Sequence, residues 1–107
     1  MEKLSNKAKV VYATLEQLGA IDKENKVTSY AILDYIIEES EELYKHELVK
    51  DIPEQEFVDI TLDINLKSIS ATLTPMVKKN LINSTDPTTI KVNGTNRNLK
   101  QYFLNKK

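Results

Sequence analysis

Two spacings of apolar residues divide this chain. Leu4, Ala8, Val11, Tyr12, Leu15 and Leu18 recur at three- and four-residue intervals, the period of one helix face. Ile32, Leu33, Ile36 and Ile37 repeat that period, and so do Ile69, Leu73, Met76 and Val77. After Asn80 it gives way to Thr88, Thr89, Ile90 and Val92, residues that favour strands, followed by Asn93-Gly94. Both turn positions of that dipeptide tolerate positive φ, so it favours a tight hairpin. A chain that changes period in this way belongs to the α+β class, and the order predicts a mostly helical fold with a C-terminal β-hairpin.

The element ends are signalled by single residues. Ser5 can cap the first helix and Gly19 can stop it. Asp22–Lys26 is a polar connector, Val27 opens a new element, and Thr28 or Ser29 can cap the second helix, whose stripe can continue through Ser40, Leu43, Tyr44 and Leu48. Pro53 ends that pattern or starts another helix, with Glu54 and Glu56 suited to a first turn. Val58, Ile60, Leu62, Ile64 and Leu66 alternate with polar residues as a strand does, but the start Pro-Glu-Gln-Glu favours a helix over 53–61. Residues 66–80 read as a helix containing Pro75, which either bends the axis or begins a separate helix capped by Thr74. Asn80 suits a left-handed cap, and Leu81-Ile82 then enters a strand. Thr95–Asn98 widens the turn into a loop, and Leu99, Tyr102, Phe103 and Leu104 suit a returning strand.

At 107 residues the chain is expected to form a single domain. Apolar residues make up 40% and charged residues 29%, a globular balance. There are no cysteines, so a disulfide scaffold, a cysteine zinc site and a thiol nucleophile are excluded. With no apolar run behind the N-terminus and no long apolar stretch, neither a signal peptide nor a membrane partner is expected, and the expected location is cytoplasmic. His46 is the sole histidine and makes no metal site. The carboxylates have no apolar pocket or fixed separation, and neither glycine belongs to a phosphate-cradling loop. Neither a cofactor nor enzymatic activity is expected. Tyr12, Tyr30, Tyr35, Tyr44 and Tyr102 fall mostly on apolar stripes and are expected in the core.

The net charge of −1 conceals a partition. Residues 1–27 carry five lysines and four acids, net +1, and residues 28–65 carry two lysines and eleven acids, net −9. Residues 66–107 carry seven lysines, Arg97 and the lone Asp86, net +7. Such asymmetry points to an anionic partner at the basic end.

The stretch Ser68-Ile-Ser-Ala-Thr-Leu-Thr-Pro-Met-Val-Lys-Lys-Asn-Leu-Ile82 resembles the recognition helix and first wing strand of winged helix-turn-helix proteins, with MarR-type transcriptional regulators the nearest pattern. Val77-Lys-Lys-Asn-Leu-Ile82 keeps the family's helix ending, with Asn80 in place of the usual glycine. Val27–Ile36 resembles the short strand and first helix of the motif, and Thr88–Leu104 the wing. The likeness covers residues 66–104 and, more loosely, 5–36. It implies a recognition helix at 66–80, a wing at 82–104 and an acidic helical insertion at 37–65. It does not extend to the long C-terminal helix with which MarR-type proteins dimerise. A homodimer is still the default for a regulator of two-fold symmetric operators.

Duplex recognition needs cations for phosphates and short polar side chains for groove edges. Lys67 and Lys78 supply the former on helix 66–80, while Ser68, Ser70, Thr72 and Thr74 supply the latter and Ala71 allows close approach. In the hairpin, Lys91 and Lys100 are expected to track the backbone beside the amides Asn93 and Asn96. By resemblance, Arg97 is a wing-tip arginine that enters a narrow minor groove. The expected function is therefore a DNA-binding protein, a small transcriptional regulator whose partner is double-stranded DNA. The alternative is a protein-protein interaction module whose contact surface is the acidic segment 38–63.

Overall fold

The computed structural model describes residues 4–104. In chain order these form α1 (Asn6–Gln17), one 3-10 turn (Lys23–Asn25), α2 (Ser29–Glu38), α3 (Ser40–Leu43), α4 (Glu54–Asp63) and α5 (Leu66–Lys78). Strands β1 (Ile82–Ser84), β2 (Thr88–Val92), β3 (Thr95–Leu99) and β4 (Tyr102–Leu104) follow. The class is α+β, but about half rather than most of the described residues are helical. The expected continuation of the second helix through Leu48 does not form, because Glu39 leaves the helical region at φ −122° and ψ 34°. Leu43 is buried in the four-residue α3, and residues 44–52 run through turns.

Side-chain caps set the first two helices. Ser5 Oγ accepts the Ala8 N–H at 3.1 Å, and Thr28, rather than Ser29, accepts the Ala31 N–H at 3.2 Å. Gly19 ends the first helix at φ +74°. Helices α1, α2 and α5 pack pairwise, and Val10, Val11, Leu15, Ile32, Ile36, Ile69 and Leu73 between them are fully buried. Ile82 and Leu104 bring the first and last strands onto the same core. Residues 39–65 leave the α2–α5 contact and return to it.

That excursion is tied down by two residues. The Tyr44 hydroxyl donates to the Ile52 carbonyl at 2.7 Å, and the Tyr44 ring lies 4.7 Å from that of Phe57. His46 accepts the Leu48 N–H on Nδ1 at 3.0 Å and meets Glu16 of α1 through Nε2 at 3.1 Å. Pro53 and the acidic first turn win over the strand-like alternation, so residues 54–63 are a helix. The helix buries only Phe57 and leaves Val58 and Leu62 37% and 77% exposed.

The strands form two short ladders end to end. The inner one pairs β1 with β4, from Ile82↔Leu104 to Ser84↔Tyr102. Val27 adds to the other edge of β4, exchanging two backbone hydrogen bonds with Tyr102 at 2.9 and 2.7 Å. The outer ladder pairs β2 with β3, from Thr88↔Leu99 to Val92↔Thr95. Asn93 and Gly94 turn the chain with φ of 50° and 79°. Residues 95–98 are therefore strand and not the expected loop: a two-residue turn with both φ positive matches the strand twist, so pairing resumes at once with Thr95. Among the described residues no helix is long and apolar enough to cross a membrane.

Candidate nucleic-acid interface

The presentation of α5 follows from its cap and its buried stripe. Asn65 accepts the Ser68 N–H at 2.9 Å while Ser68 Oγ accepts the Asn65 N–H at 3.0 Å, a reciprocal capping box. The hydroxyl of Ser68 is thus committed to the helix start. Ile69, Leu73 and Met76 are buried. Lys67, Ser70, Ala71, Thr74 and Lys78 lie at i, i+3, i+4, i+7 and i+11, and all five are exposed. The two lysines close the ends of a stripe about 16 Å long at 1.5 Å per residue. The small residues between them leave room for close approach to a groove about 12 Å wide. Thr72 is half-buried, and its hydroxyl and that of Thr74 donate to the Ser68 and Ser70 carbonyls at 2.9 and 3.0 Å. Their remaining lone pairs can accept. Of the two readings of Pro75, the helix runs unbroken through it, with Thr74 inside.

A cleft of about 190 Å³ lies between the end of α5 and the base of the hairpin, lined by Thr74, Val77, Lys78, Ser84, Lys100 and Tyr102. Lys78 and Lys100, 22 positions apart in sequence, meet there with three hydroxyl-bearing side chains. The half-buried Tyr102 phenol has its pKa pushed up by burial, so at neutral pH it is a hydroxyl able to donate to an anion.

The hairpin sorts its polar residues by face, since directly paired residues share one. Ile90 and Arg97 pair and project with Val92 and Leu99, whereas Lys91 pairs with Asn96 and projects with Thr89 and Asn98. Arg97 and Lys91 therefore point from opposite faces. Arg97 is not at the tip, which Asn93 and Gly94 occupy; tight closure of the turn draws it back to the middle of the ladder. Its guanidinium lies 5.9 Å from the centroid of the Tyr30 ring, within cation–π reach, and the side chain stays exposed. Asn93 and Asn96 are exposed at and beside the tip.

Tyr30, Ser84 and Tyr102 were not singled out by sequence as interface residues. Tyr12, Tyr35, Tyr44 and Tyr102 pack on the core as expected, but Tyr30 instead supports Arg97. Only long-range pairing could have revealed these positions. The ten carboxylates from Glu38 to Asp63 are all exposed. Among the described residues no three histidine or carboxylate side chains gather to hold a metal. No protein-family model, curated protein or solved structure matches the chain.

Proposed function

We propose that this chain is a small transcriptional regulator of winged helix-turn-helix type, reading duplex DNA with α5 and with the hairpin as its wing. The observation that carries the reading is the meeting of Lys78 and Lys100 in one cleft, at the end of the exposed stripe Lys67-Ser70-Ala71-Thr74-Lys78. One phosphate backbone can touch the helix end and the hairpin base together, while the stripe faces base edges. The pairwise packing of α1, α2 and α5, with Val27 on the edge of β4, supports the fold-level part of the reading. Arg97, seated on Tyr30, braces the hairpin against the start of α2 and keeps its outward donors for phosphate. Lys91 and Asn96, on the other hairpin face, lie outside this contact.

Titration of the protein into random duplex at low salt tests the proposal. Binding is expected below roughly 100 μM, where even nonspecific association registers. Lys78→Ala or Lys100→Ala is expected to weaken it by about 1 kcal/mol. Absence of a shift in that range contradicts the proposal.

A second reading, a protein-interaction module using the acidic segment, is favoured by the exposure of Val58 and Leu62 among carboxylates. A pull-down that recovers one stable protein partner and no nucleic acid selects it.

A further inference from the structure

The inner and outer ladders of the hairpin are out of step by one residue. Inner pairing runs to Ser84↔Tyr102 and one step beyond, where Thr85 donates its N–H to the Gln101 carbonyl at 2.9 Å. The outer ladder resumes at Thr88↔Leu99. Asp86 and Pro87 therefore stand opposite Lys100 alone, a two-against-one β-bulge. Pro87 is its physical cause. The Thr85–Gln101 bond marks a hydrogen-bonded pair, and such pairs alternate along an antiparallel ladder. In unbroken register the next one would join Pro87 to Leu99, and proline has no N–H to give. Thr88 takes that place, and one residue is left over. Thr85 fastens the inner side of the bulge: its hydroxyl accepts the Gln101 N–H at 3.0 Å and donates to the Asp86 carbonyl at 3.1 Å.

The extra residue decides where a charge goes. Asp86 is the lone acid of residues 66–107. Unbroken register would set it directly opposite Lys100, in a pair of the non-hydrogen-bonded kind, whose side chains come closest. Opposite charges so placed attract. That pair would lie two positions from Ser84↔Tyr102 and share its face, which lines the cleft, so a carboxylate would enter beside Lys100. Instead Asp86 is exposed and lies outside the cleft, and among the described residues neither it nor Lys100 makes an ion pair. We propose that the Asp86–Pro87 bulge is a positioning device for the basic cleft: Pro87 withholds the donor that regular pairing needs, and so keeps Asp86 from neutralising Lys100, whose ammonium stays available to a phosphate. Bulges recur beside functional sites, where they re-aim a side chain. The proposal rests on the nucleic-acid reading of the cleft and adds to it two residues that act through Lys100.

Deletion of Pro87 from the full chain tests it, because one residue fewer lets the two ladders join in a single register. Nuclear Overhauser contacts between residues 86 and 100 are expected to show direct opposition in the deletion variant. Duplex titration over a salt series then reads the charge. The deletion is expected to weaken binding about fivefold and to flatten the slope of log K against log salt by about 0.9, the loss of one phosphate contact. Adding Asp86→Asn to the deletion restores affinity and slope, since the amide keeps the pairing and drops the charge. Asp86→Asn alone leaves the parent slope unchanged. A folded deletion variant without the 86–100 contact, a slope unaltered by the deletion, or a loss that Asp86→Asn fails to restore overturns the proposal. If the deletion unfolds the chain, Ser84→Asp against Ser84→Asn puts the same question with the bulge intact. The acid is expected to flatten the slope by about 0.9 and the amide to leave it alone, and equal slopes overturn the proposal. The parent's own titration separates the two failures. A parent that does not bind duplex overturns the nucleic-acid reading and the phosphate role together, whereas a parent that binds no differently from the deletion variant overturns the bulge proposal alone.

Discussion

Tyr102 links the fold to the candidate interface. Its backbone holds Val27 on the sheet edge, and its side chain lines the cleft that brings Lys78 and Lys100 together. Burial raises its pKa, and Tyr35 is raised as well, by burial first and then by the charges of Glu39 and Glu42. The folded state favours the neutral phenol of each. Their contribution to stability is therefore complete below the unfolded value near 10 and is lost as pH rises through the higher folded value. Urea denaturation is expected to show stability falling above about pH 10, with a shallower fall for Tyr102→Phe. An unchanged pH profile in the variant contradicts this assignment. The same scale separates what sequence can convey from what it cannot. Ser5 was legible as a cap, and Thr28 as one of two candidates with Ser29, because a cap contacts the backbone three residues on. The seat of Arg97 on Tyr30 was not, because 67 positions of chain separate them and only the hairpin register brings them together.

At the scale of the element, α5 carries the strongest local instructions. Its apolar spacing predicted the buried face, and the predicted outward residues are those found exposed except for Ser68, which closes the cap, and Thr72, which is half-buried. Asn65→Ala removes the cap acceptor and is expected to cost about 1 kcal/mol in chemical denaturation. A loss below a few tenths of a kcal/mol would show that the capping box contributes little. Pro75 has no N–H, so the Ala71 carbonyl lacks its helical donor. Pro75→Ala restores that bond and is expected to raise stability, by up to about 3 kcal/mol. A less stable variant contradicts the account. The acidic segment was harder to read for a physical reason. Alternation at Val58, Ile60, Leu62 and Ile64 is a strand signal only when one face is buried, and here the helix leaves Val58 and Leu62 outside. In the hairpin, the polar run Thr95–Asn98 looked like a loop because its residues are exposed, yet its backbone pairs fully.

At the scale of the whole molecule, the charge partition takes on a spatial meaning. Two lysines of the C-terminal part, Lys78 and Lys100, line the cleft between α5 and the hairpin, and the carboxylates of the excursion stay on the surface. The central claim, one cationic surface shared by α5 and the hairpin, is tested most directly by the slope of log K against log salt for duplex binding. Each phosphate contact contributes about −0.9 to that slope, so the double variant Lys78→Ala/Lys100→Ala is expected to flatten it by about 1.8. A slope that stays unchanged in the double variant contradicts the claim.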